Sequence, residues 1–190
     1  MNNFKKYRWF YTSEDTLVVG GKNAEQNDEL LEQVVKGGKD YVVMHTAAPG
    51  SPFAILTNSR EKITARELEE CAVFTACFSQ EWKKKKKRAT VHIFTTMQLT
   101  KEKGMKTGSW RVNGPVKKVS APLQLALTVQ KKVLRAVPIS AAREKLALIC
   151  PGQVDKSTML AALQLTIGDR FRAEDILGAL PAGGVKLWRE

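Results

Sequence analysis

The alternation of hydrophobic and polar positions divides the start of the chain into two strands and a helix. Residues 8–12 form an aromatic-rich run and residues 17–19 an apolar run, with a short polar turn between them. Such paired runs are typical of strands joined by a tight connection. Gly20-Gly21 then breaks the pattern. A helix is predicted to begin at Asn23, where Asn23 or its neighbour caps the free N–H groups of the first turn, and to end at Gly37-Gly38.

The next segment predicts a strand that leads a histidine into a loop. Residues 41–44 are apolar, His45 follows them, and a small Gly- and Pro-rich loop leads to a returning strand over residues 53–56. Gly and Pro interrupt regular structure, so the loop is bounded on both sides by extended backbone. The pattern therefore places His45 where a buried strand meets a loop.

A second helix is indicated by a capping signal and by helical spacing of apolar residues. Thr64 and Glu67 have the spacing of a capping box, in which each side chain satisfies a backbone donor of the other residue. Apolar residues, Cys71 and Phe78 among them, then recur at three- and four-residue steps. This helix is predicted to run directly into the basic residues 83–88, with Cys71 as a small core residue.

The remaining pattern predicts mostly strands. Residues 90–96 alternate as a strand, Asn113-Gly114 is a strong hairpin signal, and residues 123–129 alternate as the last strand of the first domain. Beyond this point the predicted elements are strands over residues 133–137, 146–150 and 185–188 and helices over residues 155–167 and 173–180.

These elements predict an α+β fold. We expect a domain of residues 1–129, with a mixed or antiparallel sheet and two main helices, followed by a small α+β extension over residues 130–190. A chain of 190 residues is long enough to bury a sizeable core in this arrangement.

Positive charge is concentrated in about one fifth of the chain. The formal net charge is +12, and residues 78–118 hold twelve Lys or Arg against two acidic residues. Clustered cations attract phosphates, and the release of counterions favours binding. The charge therefore predicts a polyanionic partner. An acidic membrane would offer the same charge, but the sequence has no basic amphipathic helix and no lipidation signal, so no membrane association is expected.

The cysteine and histidine content argues against a metal site. Three cysteines lack CxxC spacing and only two histidines are present, so we expect neither a zinc cage nor another cofactor.

No apolar run approaches the ~18 residues of a membrane span, and the N-terminus has no apolar signal segment, so a cytoplasmic location is expected. Lys156-Ser157-Thr158 is similar to the end of a phosphate loop, but Asp155 stands where a Walker A motif requires Gly, which argues against ATP binding.

Residues 8–27 read RWFYTSEDTLVVGGKNAEQN. Their arrangement resembles the opening of the NFACT-R domain, the RNA-binding module of NFACT proteins. Those proteins act in ribosome-associated quality control, and the module also occurs as stand-alone chains. The features that carry the resemblance are Trp9-Phe10, Ser13-Glu14, Gly20-Gly21, Ala24 and Asn27. The resemblance covers roughly residues 4–129 and does not include the C-terminal extension.

Two further segments resemble the same family. The strand that delivers His45, followed by Gly50-Ser51, matches the family, whereas Ala47 and Pro49 stand where the family has an acidic residue and a second histidine. These two replacements remove the side chains that a metal or acid–base role would need. The other segment is similar to the family's G-S-F/W-x-x-x-G-K-K ribbon and consists of Gly108-Ser109-Trp110, Asn113-Gly114 and Lys117-Lys118.

The resemblance and the charge together predict a protein that binds structured RNA, either tRNA or ribosomal RNA. The expected RNA-binding residues are Arg8, Trp9, His45, Gly50, Ser51, Lys83, Lys84, Lys85, Lys86, Lys87, Arg88, Trp110, Lys117 and Lys118. Cations would contact phosphates, Trp110 or Trp9 would stack on a base, and His45 with the Gly50-Ser51 backbone would add hydrogen bonds. Trp9 and Phe10 point to opposite faces of a strand, so one is expected in the core and the other towards the RNA.

The resemblance also implies a setting and leaves alternatives open. The implied partners besides RNA are the large ribosomal subunit or an RNA-modifying enzyme, in translation quality control or RNA modification; the sequence indicates no oligomeric state. A binding module is favoured over an enzyme, but an RNA-directed nuclease or modification catalyst centred on His45 is one alternative. A DNA-binding protein is another, because only contacts to the 2′-OH distinguish the two polymers. A third is a structural protein that dimerises or docks through residues 130–190.

Overall fold

A computed structural model describes residues 3–188, which contain twelve strands in three antiparallel sheets. The main sheet has six strands in the order β1 (Arg8–Tyr11), β2 (Leu17–Gly20), β4 (Ala54–Leu56), β3 (Val42–Thr46), β5 (Arg88–Thr95) and β8 (Lys117–Pro122). Two short strands, β6 (Leu99–Thr100) and β7 (Arg111–Val112), form a separate pair. β1 and β8 are therefore the edge strands of the main sheet.

One face of the main sheet is covered by a helix of thirteen residues, α1 (Ala24–Lys36). Asn23 caps it as predicted, because its side chain accepts a first-turn N–H at 2.9 Å. The apolar stripe of α1 packs on the sheet through Leu30, Leu31 and Val34. The helix thus begins directly after the Gly20-Gly21 break, close to the edge of the sheet.

The opposite face is covered by α2 (Ala65–Cys77), which begins with the predicted capping box at Thr64. This helix ends earlier than the sequence predicts. Phe78 forms its C-terminal cap, and Ser79 starts a separate short helix, α3 (Gln80–Lys83). The expectation of one continuous helix reaching the basic residues is wrong, because the Ser79 hydroxyl accepts an N–H of a new first turn.

The C-terminal part of the chain forms a second antiparallel sheet. Its four strands lie in the order β10 (Val133–Val137), β9 (Leu125–Gln130), β11 (Ala147–Asp155) and β12 (Gly184–Trp188). Two helices, α4 (Leu160–Ile167) and α5 (Ala173–Ala179), connect β11 to β12. Because β9 pairs with β10 and β11, a hairpin crosses residue 129, and the division into two domains at that residue stays a prediction.

The two sheets share one hydrophobic cluster. Phe74 of α2 belongs to the same cluster as Met44 of the main sheet and Leu127 of the second sheet. Trp82 of α3 is fully buried in this cluster, and its Nε1–H donates to the Gly184 carbonyl at 2.9 Å. The second sheet is therefore hydrogen-bonded to α3, the helix in which the basic residues begin.

The α+β class, with antiparallel sheets and two main helices, is confirmed. The hairpin predicted at Asn113-Gly114 is wrong. Strand β7 pairs with β6, whereas β8 pairs with β5, so this turn passes from one sheet to another. Among residues 3–188, no helix is both long and apolar enough to cross a membrane.

Candidate nucleic-acid interface

An open cleft of about 660 Å³ brings together six of the residues predicted from the sequence. These are Arg8, His45, Gly50, Ser51, Lys83 and Trp110. The walls come from the start of α1, the loop after β3, the start of α3 and the loop before β7. No Asp or Glu lines the cleft within the described part of the chain, whereas Arg8, Lys22 and Lys83 supply positive charge. A cleft with cations and without carboxylates suits an anionic ligand.

The loop after β3 is held in shape by Ser51 and by Asn27 of α1. The Ser51 hydroxyl accepts the Thr46 N–H at 3.0 Å and donates to the Pro52 carbonyl at 3.1 Å. The Asn27 side chain accepts the Phe53 N–H at 3.1 Å. Ser51 is buried, so its hydroxyl shapes the cleft wall and does not face the ligand space.

Gly50 joins this loop to α3. Its φ is +92°, and a Cβ at this position would lie 2.5 Å from Cγ of Gln80. A side chain is therefore excluded by backbone conformation and by the neighbouring helix. The Gly50 carbonyl accepts the Gln80 N–H at 2.9 Å, which fixes the loop against the helix that carries Lys83.

His45, His92 and Lys118 form a row across the main sheet. The strand register places His45 opposite His92 and His92 opposite Lys118, so the three share the face covered by α1. The His45 Nδ1–H donates to the Thr46 carbonyl at 2.7 Å. Burial lowers the pKa of His45, and burial followed by the charge of Lys118 lowers the pKa of His92. Among residues 3–188, no three or more side chains of His, Cys, Asp or Glu form a group that could hold a metal ion.

Lys117 points away from this row. Adjacent residues of a strand face opposite sides of a sheet, and Lys117 lines a second groove beside α2, together with Arg88. Arg88 is engaged there, since its guanidinium donates to Oγ of Ser120 at 2.9 Å and to the carbonyl of the same residue at 2.6 Å. The sequence grouped Lys117 with Lys118 as one phosphate clamp, but the structure places them on different faces.

Trp110 is fixed at the cleft by Asp28. The indole Nε1–H donates to Oδ1 of Asp28 at 2.8 Å, and Nζ of Lys101 lies 2.9 Å from both oxygens of that carboxylate. Burial alone would raise the pKa of Asp28, but hydrogen bonds from Lys101, the Gly108 N–H and Trp110 hold it below its usual value. The half-buried ring is therefore held in one place on the cleft wall, where a base could stack on it.

Arg8 lies over an aromatic ring at the edge of the cleft. Its Cζ is 4.5 Å from the centre of the Phe78 ring. Burial lowers the pKa of Arg8. Within residues 3–188, no acidic side chain raises it again. The guanidinium is thus positioned by stacking and keeps its positive charge without a carboxylate partner.

The basic residues 83–88 turn away from the cleft after Lys83. Nζ of Lys84 lies 2.6 Å from a carboxylate oxygen of Glu81. Lys85 has a φ of +56° and hydrogen-bonds to a side chain of β11. The next two lysines are exposed to solvent. Only Lys83 of this run lines the cleft among the described residues.

Trp9 is not available to a ligand. Its side chain is 2% exposed, and that of Phe10 is 0% exposed. Cζ of Arg135 lies 4.5 Å from the centre of the Trp9 ring, and the ring of Phe4 meets it edge-on. The expectation that one of the two adjacent aromatic side chains faces the RNA is wrong, because Arg135 covers the ring that an edge strand would otherwise expose.

The cleft also contains residues that the sequence did not single out. His92 could have been found, because the alternation of β5 puts it on the same face as Phe94, opposite the His45 strand. Lys22 lies between the Gly20-Gly21 break and the helix cap, a position that carries no chemical signal in the sequence. Phe78 was assigned to the apolar stripe of a longer helix.

The segment that forms the cleft matches a known protein family. A family model described as the NFACT protein RNA-binding domain matches residues 6–114. This range includes all six predicted residues that line the cleft.

Several curated proteins are similar over the same segment. The ribosome quality control complex subunit NEMF of Homo sapiens is 31% identical over 80 residues, which are 42% of this chain and 7% of that protein. The NEMF homolog of Drosophila melanogaster is 28% identical over 116 residues, which are 58% of this chain and 11% of that protein. The chain spans only a small fraction of the length of these relatives.

One solved structure is similar in fold. It is the C-terminal part of the fibronectin/fibrinogen-binding protein from Streptococcus suis, with a TM-score of 0.54 and 23% sequence identity. The match covers 61% of this chain and 44% of that chain. At this identity the likeness shows a shared fold.

Proposed function

This chain belongs to the NFACT RNA-binding domain family, and on that premise we propose that it binds structured RNA, either tRNA or ribosomal RNA, in the cleft. The observation that carries the proposal is the charge of the cleft wall. Arg8, Lys22 and Lys83 line it, and none of the lining residues in the described part of the chain is acidic. RNA supplies the negative charge that such a wall lacks.

The cleft offers two kinds of contact to RNA. The cations would contact phosphates, which position the RNA without reading its sequence. Trp110 would stack on an unpaired base, and structured RNA presents such bases in loops and at ends. His45 and His92 would donate hydrogen bonds to phosphates once they are protonated.

The proposed setting is ribosome quality control on the cytoplasmic ribosome. The support is that the relatives matching this segment are named as subunits of the ribosome quality control complex. The RNA partner in that setting would be tRNA or the ribosomal RNA of the large subunit.

Binding of the purified protein to tRNA, single-stranded RNA and duplex DNA, measured over a salt series, tests the proposal. We expect a preference for tRNA and an affinity that falls steeply with salt, with a log–log slope of about −0.7 to −0.9 per phosphate contact. Equal and weak binding to all three polymers contradicts the proposal. Recovery of the RNA on a denaturing gel tests the enzyme alternative, since cleavage that is lost in His45→Ala would favour a nuclease.

A further inference from the structure

An arginine of the second sheet reaches the edge of the main sheet next to the cleft. β1 is an edge strand of the main sheet, and β10 is an edge strand of the second sheet. Arg135 of β10 donates its Nε–H to the carbonyl of Trp9 at 3.0 Å. Trp9 follows Arg8 directly in the chain. Arg8 and Arg135 therefore lie at the boundary where the two edge strands meet.

Both guanidinium groups at this boundary are stacked on aromatic rings. The Cζ of Arg8 and the Cζ of Arg135 each lie 4.5 Å from a ring centre, over Phe78 and Trp9 respectively. Stacking fixes the plane of a guanidinium and leaves its N–H edge open to a planar or tetrahedral oxyanion. Within residues 3–188, the terminal nitrogens of both arginines are without a hydrogen-bond acceptor.

Two lysines lie near the pair of arginines. Lys22 lines the cleft between β2 and the start of α1. Lys156 follows β11, and its Nζ donates to the carbonyl of Leu177 near the end of α5 at 3.0 Å. One lysine thus comes from the main sheet region and the other from the C-terminal region.

The four cations act on one another electrostatically. Burial and then the charge of Arg8 lower the pKa of Arg135 to about 10. Burial, followed by the charges of Arg8 and Arg135, lowers the pKa of Lys22. Burial and then Arg8 also lower the pKa of Lys156, and Asp155 opposes this. None of the four forms an ion pair with a carboxylate of residues 3–188, so their like charges are compensated only in part, by the charge of Asp155 near Lys156.

We propose that Arg8, Lys22, Arg135 and Lys156 form a phosphate-binding site at the boundary between the two sheets, occupied by a backbone phosphate of the bound RNA. The identity of the ligand rests on the proposed function. A phosphate accepts charge-assisted hydrogen bonds from both stacked guanidinium edges and removes the repulsion among the four cations. Because Arg8 also lines the cleft, the site continues the cleft surface onto the C-terminal sheet. Residues 130–190, which lie beyond the matched family segment, thereby become part of the RNA surface.

The double variant Arg135→Gln/Lys156→Gln tests the site against a matched control, Lys132→Gln/Arg143→Gln. The control removes the same two charges from the same sheet region, but Arg143 pairs with Asp15 in the turn at the other end of β1. We expect the test variant to weaken tRNA binding about tenfold or more and to lower the salt slope by about 0.7 to 0.9, which corresponds to one phosphate contact, and the control to change affinity by less than about threefold. Equal effects of the two variants overturn the site while leaving RNA binding intact. Absence of tRNA binding by the wild-type protein overturns the proposed function itself.

Inorganic tripolyphosphate provides a second readout that needs no RNA. We expect it to raise the melting temperature of the wild-type protein and of the control, and to leave the melting temperature of Arg135→Gln/Lys156→Gln unchanged. Should that variant fail to fold, Lys22→Gln/Lys156→Gln replaces it, because the stacking of Arg135 on Trp9 then remains in place. A wild-type melting temperature that does not respond to tripolyphosphate overturns the site even if tRNA binds.

Discussion

Two groups of cations in this chain differ in their surroundings more than in their number. Residues 84–88 are a consecutive basic run, partly engaged by Glu81 and by β11 and otherwise exposed to water. Arg8, Lys22 and Lys83 are scattered along the sequence, yet they line one cleft that holds no acidic side chain in its described part. Water and salt screen charges that are spread over an open surface, whereas cations that line one cleft act together on a ligand that enters it. We therefore expect position in the cleft, more than the number of charges, to decide which cations bind RNA.

The largest effect on RNA affinity is expected when two charges are removed from the cleft, compared with two removed from the basic run. Arg8→Gln/Lys83→Gln should weaken tRNA binding by about 3 kcal/mol, roughly a hundredfold, because two charge-assisted contacts to phosphate are lost. Lys86→Gln/Lys87→Gln removes the same charge from the exposed run and should cost less than about fivefold. Fluorescence anisotropy at one fixed salt concentration compares the two. A similar loss of tRNA affinity in both variants would mean that the two groups of cations do not differ in RNA binding.

The next effect concerns the aromatic part of the cleft, which the basic run lacks. Trp110→Ala should weaken binding to all RNAs that present unpaired bases by about 1–3 kcal/mol, the usual contribution of one base stacked on an aromatic ring. Trp110→Phe keeps a ring but loses the hydrogen bond to Asp28, so an intermediate loss is expected. Titration calorimetry measures both. Unchanged affinity in Trp110→Ala would mean that the ring serves packing alone.

A smaller effect should separate two neighbours on β8. Lys118→Gln should weaken tRNA binding by about 1 kcal/mol, because Lys118 lies in the row with His45 and His92 on the cleft side of the sheet. Lys117→Gln should leave the affinity unchanged, since Lys117 lines the groove on the other face. The two variants are matched in charge and differ by one position in the chain. A larger loss of affinity in Lys117→Gln than in Lys118→Gln would mean that RNA binds the other face of the sheet, which contradicts binding in the cleft.

The smallest effects are expected from pH. As the pH falls, the stability of the free protein should decrease, whereas its affinity for RNA should increase. Burial lowers the pKa of His45 and of His92. In the free protein, their contribution to stability is therefore full above the usual imidazole pKa of about 6.5 and is lost as the pH falls through the lower folded values. A nearby phosphate favours the protonated rings, so RNA affinity should rise over the same range. Melting temperature and affinity measured over one pH series check both signs, and His92→Gln should flatten both curves.

Local signals in the sequence predicted much of the fold. The Asn23 cap and the Thr64 capping box were correct, because a cap depends on residues within one turn of the helix. The α+β class, with a sheet expected to be mixed or antiparallel, followed from strand-like alternation and Gly breaks. The hairpin at Asn113-Gly114 failed because the choice of a partner strand depends on contacts far away in the chain.

The candidate site shows the same limit. His45, Gly50 and Trp110 were found through family resemblance, and the structure brings them into one cleft. Trp9 was misjudged because the residue that covers it, Arg135, is 126 positions away in the sequence. The basic run was predicted to bind RNA because of its charge, but the helix break at Ser79 and the turn after Lys83 direct it away from the cleft.

Acetylation of lysines under single-hit conditions, with and without tRNA and read by mass spectrometry, shows directly which lysines the RNA covers. If RNA binds in the cleft, we expect tRNA to protect Lys22, Lys83 and Lys118, while Lys86 and Lys87 react as they do in the free protein. Protection confined to Lys86 and Lys87, with Lys22, Lys83 and Lys118 unchanged, would contradict this expectation.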